Sequence, residues 1–186
     1  MKKILFALIA SATALTGVAQ AADAGTAYVG AGLVGSRYKF DIPNSTSSDD
    51  RSGSKVSGKL FAGYNLDKNW AVEGGYADFG KNTYNYTQNG VSGKIESKSN
   101  SLYLAGKYSQ PINEQFAVFG KLGVARNSDK INGNKGDKTG LYASVGGEYA
   151  INKNVSLSLE YEHYGKNESD LGRKSGAITG GLRYNF

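Results

Sequence analysis

Gly30-Ala31-Gly32-Leu33-Val34-Gly35 has the glycine spacing of a dinucleotide-binding turn, in which the backbone closes on a pyrophosphate held at a helix N-terminus. That chemistry needs the helix, and none can follow: Ser36 to Ser54 is polar, contains Pro43 and lacks an apolar period of 3.6. The glycines therefore read as close packing within a strand, and no cofactor is expected. His163 is the only histidine, so any catalytic imidazole must be this one, set beside a nucleophile or carboxylates. With one histidine and no cysteine, a transition-metal centre is not expected either. What remains is charge. Glu73, Lys107, Lys121, Glu148, Glu160 and Arg183 stand singly inside alternating stretches, whereas Lys94, Lys98, Lys130 and Lys135 lie in longer polar ones. The first group, if buried, must be self-compensating, because an unpaired buried charge is costly. The second can attract phosphates and acidic polymers.

The start of the chain indicates where these groups are delivered. Lys2 and Lys3 precede an apolar stretch from Ile4 to Thr16, followed by Ala19-Gln20-Ala21. That is the pattern of a signal peptide, too short for a comfortable membrane span, so residues 1–21 are assigned to export and 22–186 to the folded domain. The 165 residues from Ala22 suffice for one domain, and losing the two lysines lowers the formal charge from +6 to +4. Without cysteine, the exported protein must hold together without disulfides. No later run of about 18 apolar residues offers a helical membrane anchor.

Glycine is abundant at 26 residues, proline nearly absent at 2, and tyrosine reaches 13, while the apolar residues alternate instead of clustering. Reading with period two predicts eight strands: 27–35, 56–64, 70–78, 102–108, 116–124, 141–149, 155–163 and 176–186. In each, one register is apolar or aromatic, as in Val29, Ala31 and Leu33 or Leu157, Leu159 and Tyr161. The opposite register holds glycine, serine and the six charges named above, with Lys59 and Glu162 also inward and Phe61 breaking the polarity pattern. Connections alternate between short (65–69, 109–115, 150–154) and long (36–55, 79–101, 125–140, 164–175). Most segments suit a tilted membrane-crossing strand, and the even count suits antiparallel closure. The expectation is an all-β protein: an eight-stranded antiparallel transmembrane β-barrel of the bacterial outer membrane, with short turns on one side and long charged loops on the other. Tyr64, Trp70, Tyr108, Phe116, Tyr149, Tyr184 and Phe186 gather in the outward register beside the short-turn rim, where an aromatic girdle would sit at headgroup level. Asn89-Gly90 and Asn132-Gly133 are hairpin-turn dipeptides, so strands three to six are expected to continue past the membrane as hairpins, with Tyr84, Tyr86, Val91 and Ile95 as exposed strand residues.

These residues resemble the transmembrane domain of outer-membrane protein A and the wider family of small outer-membrane barrels. The likeness is carried by Phe61-Ala62-Gly63-Tyr64, Val72-Glu73-Gly74-Gly75-Tyr76, Gly146-Gly147-Glu148-Tyr149-Ala150-Ile151, Leu159-Glu160-Tyr161 and the terminal Leu182-Arg183-Tyr184-Asn185-Phe186. The resemblance implies an interior charge network that includes Glu73, Lys107, Lys121, Glu148 and Glu160. It also implies a chain end, Tyr184 and Phe186, that the outer-membrane assembly machinery reads. The family carries an interior arginine where Ser158 stands here, and its longer members add a periplasmic peptidoglycan-binding domain that this sequence does not contain.

Enzymes occur on such barrels, including lipid A deacylases, palmitoyl transferases and larger proteases. His163 is expected outward at the outer rim, and Tyr164-Gly165 follow where a deacylase would show a serine two positions after its histidine. The reading is thus a non-enzymatic, monomeric barrel with an envelope-structural and surface-interaction role through its charged loops. A narrow porin-like ion channel is the alternative, and a lipid-modifying enzyme ranks third. Expected partners are outer-membrane lipid, lipopolysaccharide, the assembly machinery and anionic host or surface glycans, with no nucleic acid.

Overall fold

The computed structural model describes residues 24–40, 45–46, 52–88, 91–131, 134–165 and 171–186. The assigned signal peptide and the Asn89-Gly90 and Asn132-Gly133 dipeptides lie outside the described residues. Nine strands occur among the described residues: β1 (Ala27–Phe40), β2 (Ser45–Thr46), β3 (Ser52–Asn65), β4 (Trp70–Gln88), β5 (Val91–Pro111), β6 (Phe116–Ile131), β7 (Asn134–Ala150), β8 (Val155–Tyr164) and β9 (Leu171–Asn185). Apart from the two-residue β2, which lies against Thr87 and Gln88, each strand pairs antiparallel with its neighbours in sequence. Pairing of β1 with β9 closes eight strands into a barrel, so no wall strand is left with a free edge inside the membrane.

Alternation decides which side chains meet lipid. Leu33, Leu60, Leu104, Leu122, Val145, Leu159 and Ile178 are all exposed on the outer wall, while Tyr28, Glu73, Tyr103, Glu162 and Thr179 are buried inside. In water this distribution would be inverted, and a bilayer makes it favourable because lipid replaces the missing apolar packing. Four inward aromatic rings lie directly opposite inward glycines of the neighbouring strand: Phe61 opposite Gly30, Tyr28 opposite Gly63, Tyr103 opposite Gly75 and Phe119 opposite Gly146. A Cβ on any of these glycines would collide with the facing ring, so the ring occupies the room that the missing side chain leaves. This is the packing role of Gly30 in the glycine-rich stretch, and Phe61, which broke the polarity pattern, is one of the rings that needs it.

The three short turns share one construction. Leu66-Asp67-Lys68-Asn69-Trp70, Ile112-Asn113-Glu114-Gln115-Phe116 and Ile151-Asn152-Lys153-Asn154-Val155 place an Asp or Asn second. Its Oδ1 accepts two backbone N–H groups, from Asn69 and Trp70, from Gln115 and Phe116, and from Asn154 and Val155, at 2.7–2.9 Å. The carbonyl of each fourth residue then accepts from the next hairpin's outgoing strand: Asn69 from Ser109, Gln115 from Ala150, Asn154 from Asn185. The tight rim is thereby tied round in a ring.

The third to sixth of the expected strands continue past the membrane, and most of the second and third long connections is strand: β4 and β5 stay paired to Gln88 opposite Val91, and β6 and β7 to Ile131 opposite Asn134. Ile95, expected exposed, is buried, and the side chains of Tyr84, Tyr86 and Val91 lie outside the described residues. Apolar alternation weakens at the membrane boundary, because the outward register turns to Lys94, Glu96 and Lys98 while the inward Ile95, Ser97 and Ser99 stay buried. Hydrogen bonding does not stop there, so the pattern under-reports the strands. A bulge between Asp78 and Lys81 marks the boundary on β4, with Gly80 at φ 70° and its N–H bonded to Asp78 Oδ1.

Candidate functional site

Period-two alternation turns eight charged side chains of seven strands into the barrel, and eight strands leave an interior that side chains can fill. Glu73 of β4 accepts from Lys121 Nζ at 2.7 Å and from the hydroxyls of Tyr103 and Tyr28 at 2.5 and 2.9 Å. Lys121 reaches on to Glu160 at 2.8 Å, and Glu160 accepts from Lys59 at 2.8 Å. Lys59 also donates to Glu162 at 2.5 Å, and Glu162 takes further hydroxyl donors from Tyr142, Tyr164 and Thr179. A second group lies toward the short-turn end: Glu148 accepts from Lys107 at 2.7 Å and from Arg183 Nη1 at 3.1 Å. Tyr28 bridges the groups, since its hydroxyl serves Glu73 while the Arg183 guanidinium lies 3.8 Å over its ring.

The interior thus holds four cations, Lys59, Lys107, Lys121 and Arg183, against four carboxylates, Glu73, Glu148, Glu160 and Glu162, each with an opposite charge at contact. All six residues of the expected network are brought in. Lys59 and Glu162 belong with them and were left out of that set, although their inward register was readable. The signal that would have included them is that register, since charge balance alone would not. The six alone are three cations and three carboxylates, yet Lys121 sits between two carboxylates and Glu160 between two lysines, so the row continues until Glu162 ends it on hydroxyls. Ser158, where the family carries an arginine, is in register with Glu148; the guanidinium here comes from Arg183 on β9.

The two ends differ. Above the network, Tyr103 and Tyr142 stack at 4.3 Å between ring centroids, Tyr164 packs edge-on at 5.2 Å from Tyr142, and Phe79 lies 5.4 Å from Tyr164. With Val34, Ala77, Ala105, Ala125 and Ala177 these rings form a buried layer across the barrel on the long-hairpin side. At the other end an open vestibule of about 290 Å3, rimmed by the three short turns, reaches Glu148 and Arg183. Glu148 is accordingly the most accessible of the eight charges, at 15%.

The seven rim aromatics stand outward with their rings exposed. Trp70 faces Tyr108 across β4 and β5 at 4.9 Å, Phe116 is in register with Tyr149, and Tyr184 meets Phe186 at 5.3 Å. His163 lies half-exposed in the outward register of β8, on the opposite face from Glu160 and Glu162. Lys94, Lys98, Lys130 and Lys135, expected in loops, are instead exposed on the strand extensions of β5, β6 and β7.

Residues 4–186 match the family model described as outer membrane protein beta-barrel domain. The chain is 31% identical over 183 residues to outer membrane protein A of Serratia marcescens, covering 87% of this chain and 49% of that protein, so it spans about half the length of that relative. Among solved structures, OprG from Pseudomonas aeruginosa superposes with a TM-score of 0.62 at 16% identity, over 90% of this chain and 99% of that one. Ail, the attachment invasion locus protein of Yersinia pestis, in complex with the heparin analogue sucrose octasulfate, gives 0.58 at 18% identity over 88% and 99%. These likenesses concern the fold, which is the one built above from alternation, closure and a filled interior. The chain belongs to the outer membrane protein beta-barrel domain family, as an OmpA-like small barrel of the bacterial outer membrane.

Proposed function

We propose that this protein is a non-enzymatic, sealed barrel that serves the envelope as a structural element and meets anionic glycans through its extended outer wall. The observation that carries the reading is the filled interior: eight charges neutralised at contact, closed on the outer side by a layer of buried aromatic rings. A filled interior of this kind opposes ion passage, because desolvating an ion against this compensated network would be costly. Export through a signal peptide cleaved after Ala21, assembly through the Tyr184 and Phe186 chain end, and anchoring by the rim aromatics belong to the same reading. The glycan part is supported by the cationic outer extension and by Ail, a similar fold crystallised with a sulfated heparin analogue.

The test is planar-bilayer conductance of the refolded protein, paired with binding of heparin-like polymers at low and moderate salt. A silent bilayer together with weak, salt-sensitive polymer binding is expected. Stable openings of defined conductance would replace the sealed barrel by the narrow-pore reading, whose supporting feature is the vestibule. Binding without salt dependence would remove the glycan role and leave the structural one.

A further inference from the structure

The registers of the outer extension bring four lysines into one row. Lys81 of β4 lies directly opposite Lys98 of β5, Lys98 opposite Lys130 of β6, and Lys130 opposite Lys135 of β7. Directly opposed residues of antiparallel strands point to the same face, and like charges so placed repel. The face is the outer one. Ser97 and Ser99 on either side of Lys98 are buried inward, and Lys98 shares its register with the exposed, lipid-facing Leu102 and Leu104. Lys130 shares a register with Leu122 and Val124, and Lys135 with Leu141 and Val145.

The nearby carboxylates on this face are already engaged. Glu96 is held between Lys81 and Lys94, at 2.6 and 2.7 Å, and Asp137 accepts from Arg126 and Ser128 at 2.9 and 2.6 Å. Among the described residues Lys98, Lys130 and Lys135 have no ion-pair partner. With neighbouring strands about 4.8 Å apart, the row runs roughly 14 Å around the wall. Lys98 lies four residues beyond Leu102, about 13 Å along the strand, which a tilt of about 40° turns into a height of about 10 Å above the last apolar side chain. Lys130 and Lys135, six residues beyond Val124 and Leu141, stand about 15 Å above theirs, so the row climbs from the headgroup level and faces sideways along the wall, not upward toward the medium.

We propose that the row Lys81, Lys98, Lys130 and Lys135 is a binding site for the phosphorylated glycolipid of the surrounding outer leaflet, clamping one or two lipopolysaccharide phosphates against the barrel wall. It rests on the reading that the outer extension binds anions, and it assigns this face to the membrane's own lipid while leaving free polymers to other parts of the extension. Phosphate is the matching group because its oxygens accept from several ammonium donors at once, and adjacent lysines about 5 Å apart can share one. The phosphate in turn supplies the counter-charge that Lys98, Lys130 and Lys135 lack.

The test uses the full chain refolded into nanodiscs, with Lys98→Ser/Lys130→Ser compared with Lys68→Ser/Lys153→Ser at the short-turn rim. Both variants lose two positive charges, and heat-modifiable gel mobility checks folding. Retention of lipopolysaccharide is measured by native mass spectrometry in titrations with intact and dephosphorylated material. Heparin-like polymer binding is measured on the same variants in neutral lipid. At about fivefold per lysine near an anionic surface, the row variant should bind intact lipopolysaccharide at least tenfold more weakly, the rim variant within twofold of the parent, and the dephosphorylated lipid weakly throughout. Equal losses in both variants, or equal binding of dephosphorylated lipid, would overturn the site. Loss of polymer binding with lipopolysaccharide retention intact would also overturn it, while leaving the anionic-glycan function standing. Polymer binding lost to neither variant, together with the tenfold lipid loss, would support the site and its separation from the polymer.

Discussion

Replacing Lys121 by methionine tests whether the interior behaves as one compensating unit. Lys121 is 3% exposed and serves two carboxylates, Glu73 at 2.7 Å and Glu160 at 2.8 Å. Removing one partner of a buried pair costs about 3–5 kcal/mol, and Lys121→Met should fall in that range because two charge-assisted bonds go at once. The remaining donors keep the loss from growing further: Glu73 retains the hydroxyls of Tyr28 and Tyr103, and Glu160 retains Lys59 and Ser144. Glu73→Gln alone removes the charge that Lys121 compensates and should cost about 2–3 kcal/mol. The double variant should then cost about 1–3 kcal/mol less than the sum, that difference being the coupling between the groups. For Lys107→Met with Glu148→Gln the coupling should be smaller, because the vestibule brings water to Glu148 and Arg183 stays beside it. Equilibrium urea unfolding in lipid vesicles provides the measurement, and Trp70, the only tryptophan, reports insertion from its half-exposed place on the rim. Additivity within about 0.5 kcal/mol for Lys121 and Glu73 would refute the reasoning, since it would mean that the groups are solvated independently, as in an open pore.

Glu96, beyond the membrane boundary, is held down to about 2 by hydrogen bonds from Lys81 and then Lys94. Its contribution to stability is therefore present above the ordinary glutamate range near 4.3 and lost as pH falls through about 2. Lys81→Met should raise the Glu96 titration toward the ordinary range, as followed by carboxyl carbon NMR, and an unchanged midpoint would dissociate the pair. Deleting Phe186, the exposed last outward residue, whose N–H bonds to the Ala27 carbonyl, should reduce the level in the outer membrane several-fold while synthesis and export continue. Normal outer-membrane levels on fractionation would show that the chain end is not an assembly signal. Intact-mass measurement of outer-membrane material should find Ala22 first, and retention of Met1 to Ala21 would contradict the export assignment.

Legibility in the sequence followed the solvent. Where one face of a strand meets lipid and the other a filled interior, the contrast between registers is large, and Leu102, Leu104 and Tyr108 against Tyr103, Ala105 and Lys107 can be read directly. Beyond the membrane boundary, Lys94, Glu96 and Lys98 against Ile95, Ser97 and Ser99 give a weaker contrast, so the Asn-Gly dipeptides mark the hairpins better than the alternation does. The bulge at Gly80 adds to this, because it shifts the register of β4 just where the apolar signal fades. Inside the barrel the sequence marks which charges face in but not which ones meet. That depends on stagger between strands far apart in the chain, as when Lys59 reaches Glu160 and Glu162 across more than a hundred residues. The shared construction of the three short turns was readable as a repeated apolar-Asx-x-amide spelling, once the turns are aligned on the Asp or Asn whose side chain caps them.

The lysine row also shows why its repulsion persists. In a free hairpin, opposed lysines would be relieved by slipping one strand by a residue. Here the same strands continue downward into the membrane, where such a slip would turn Leu102 and Leu104 inward and bring Lys107 out to lipid. Pulling Lys107 from its buried contact with Glu148 costs about 3–5 kcal/mol, more than the fraction of a kcal/mol that an exposed like-charge pair costs. The register is therefore fixed by the lipid-facing part, and Lys98, Lys130 and Lys135 must stand together above it. An anion arriving from outside the chain lowers their mutual repulsion, and on the outward face just above the apolar wall the nearest source is the membrane itself.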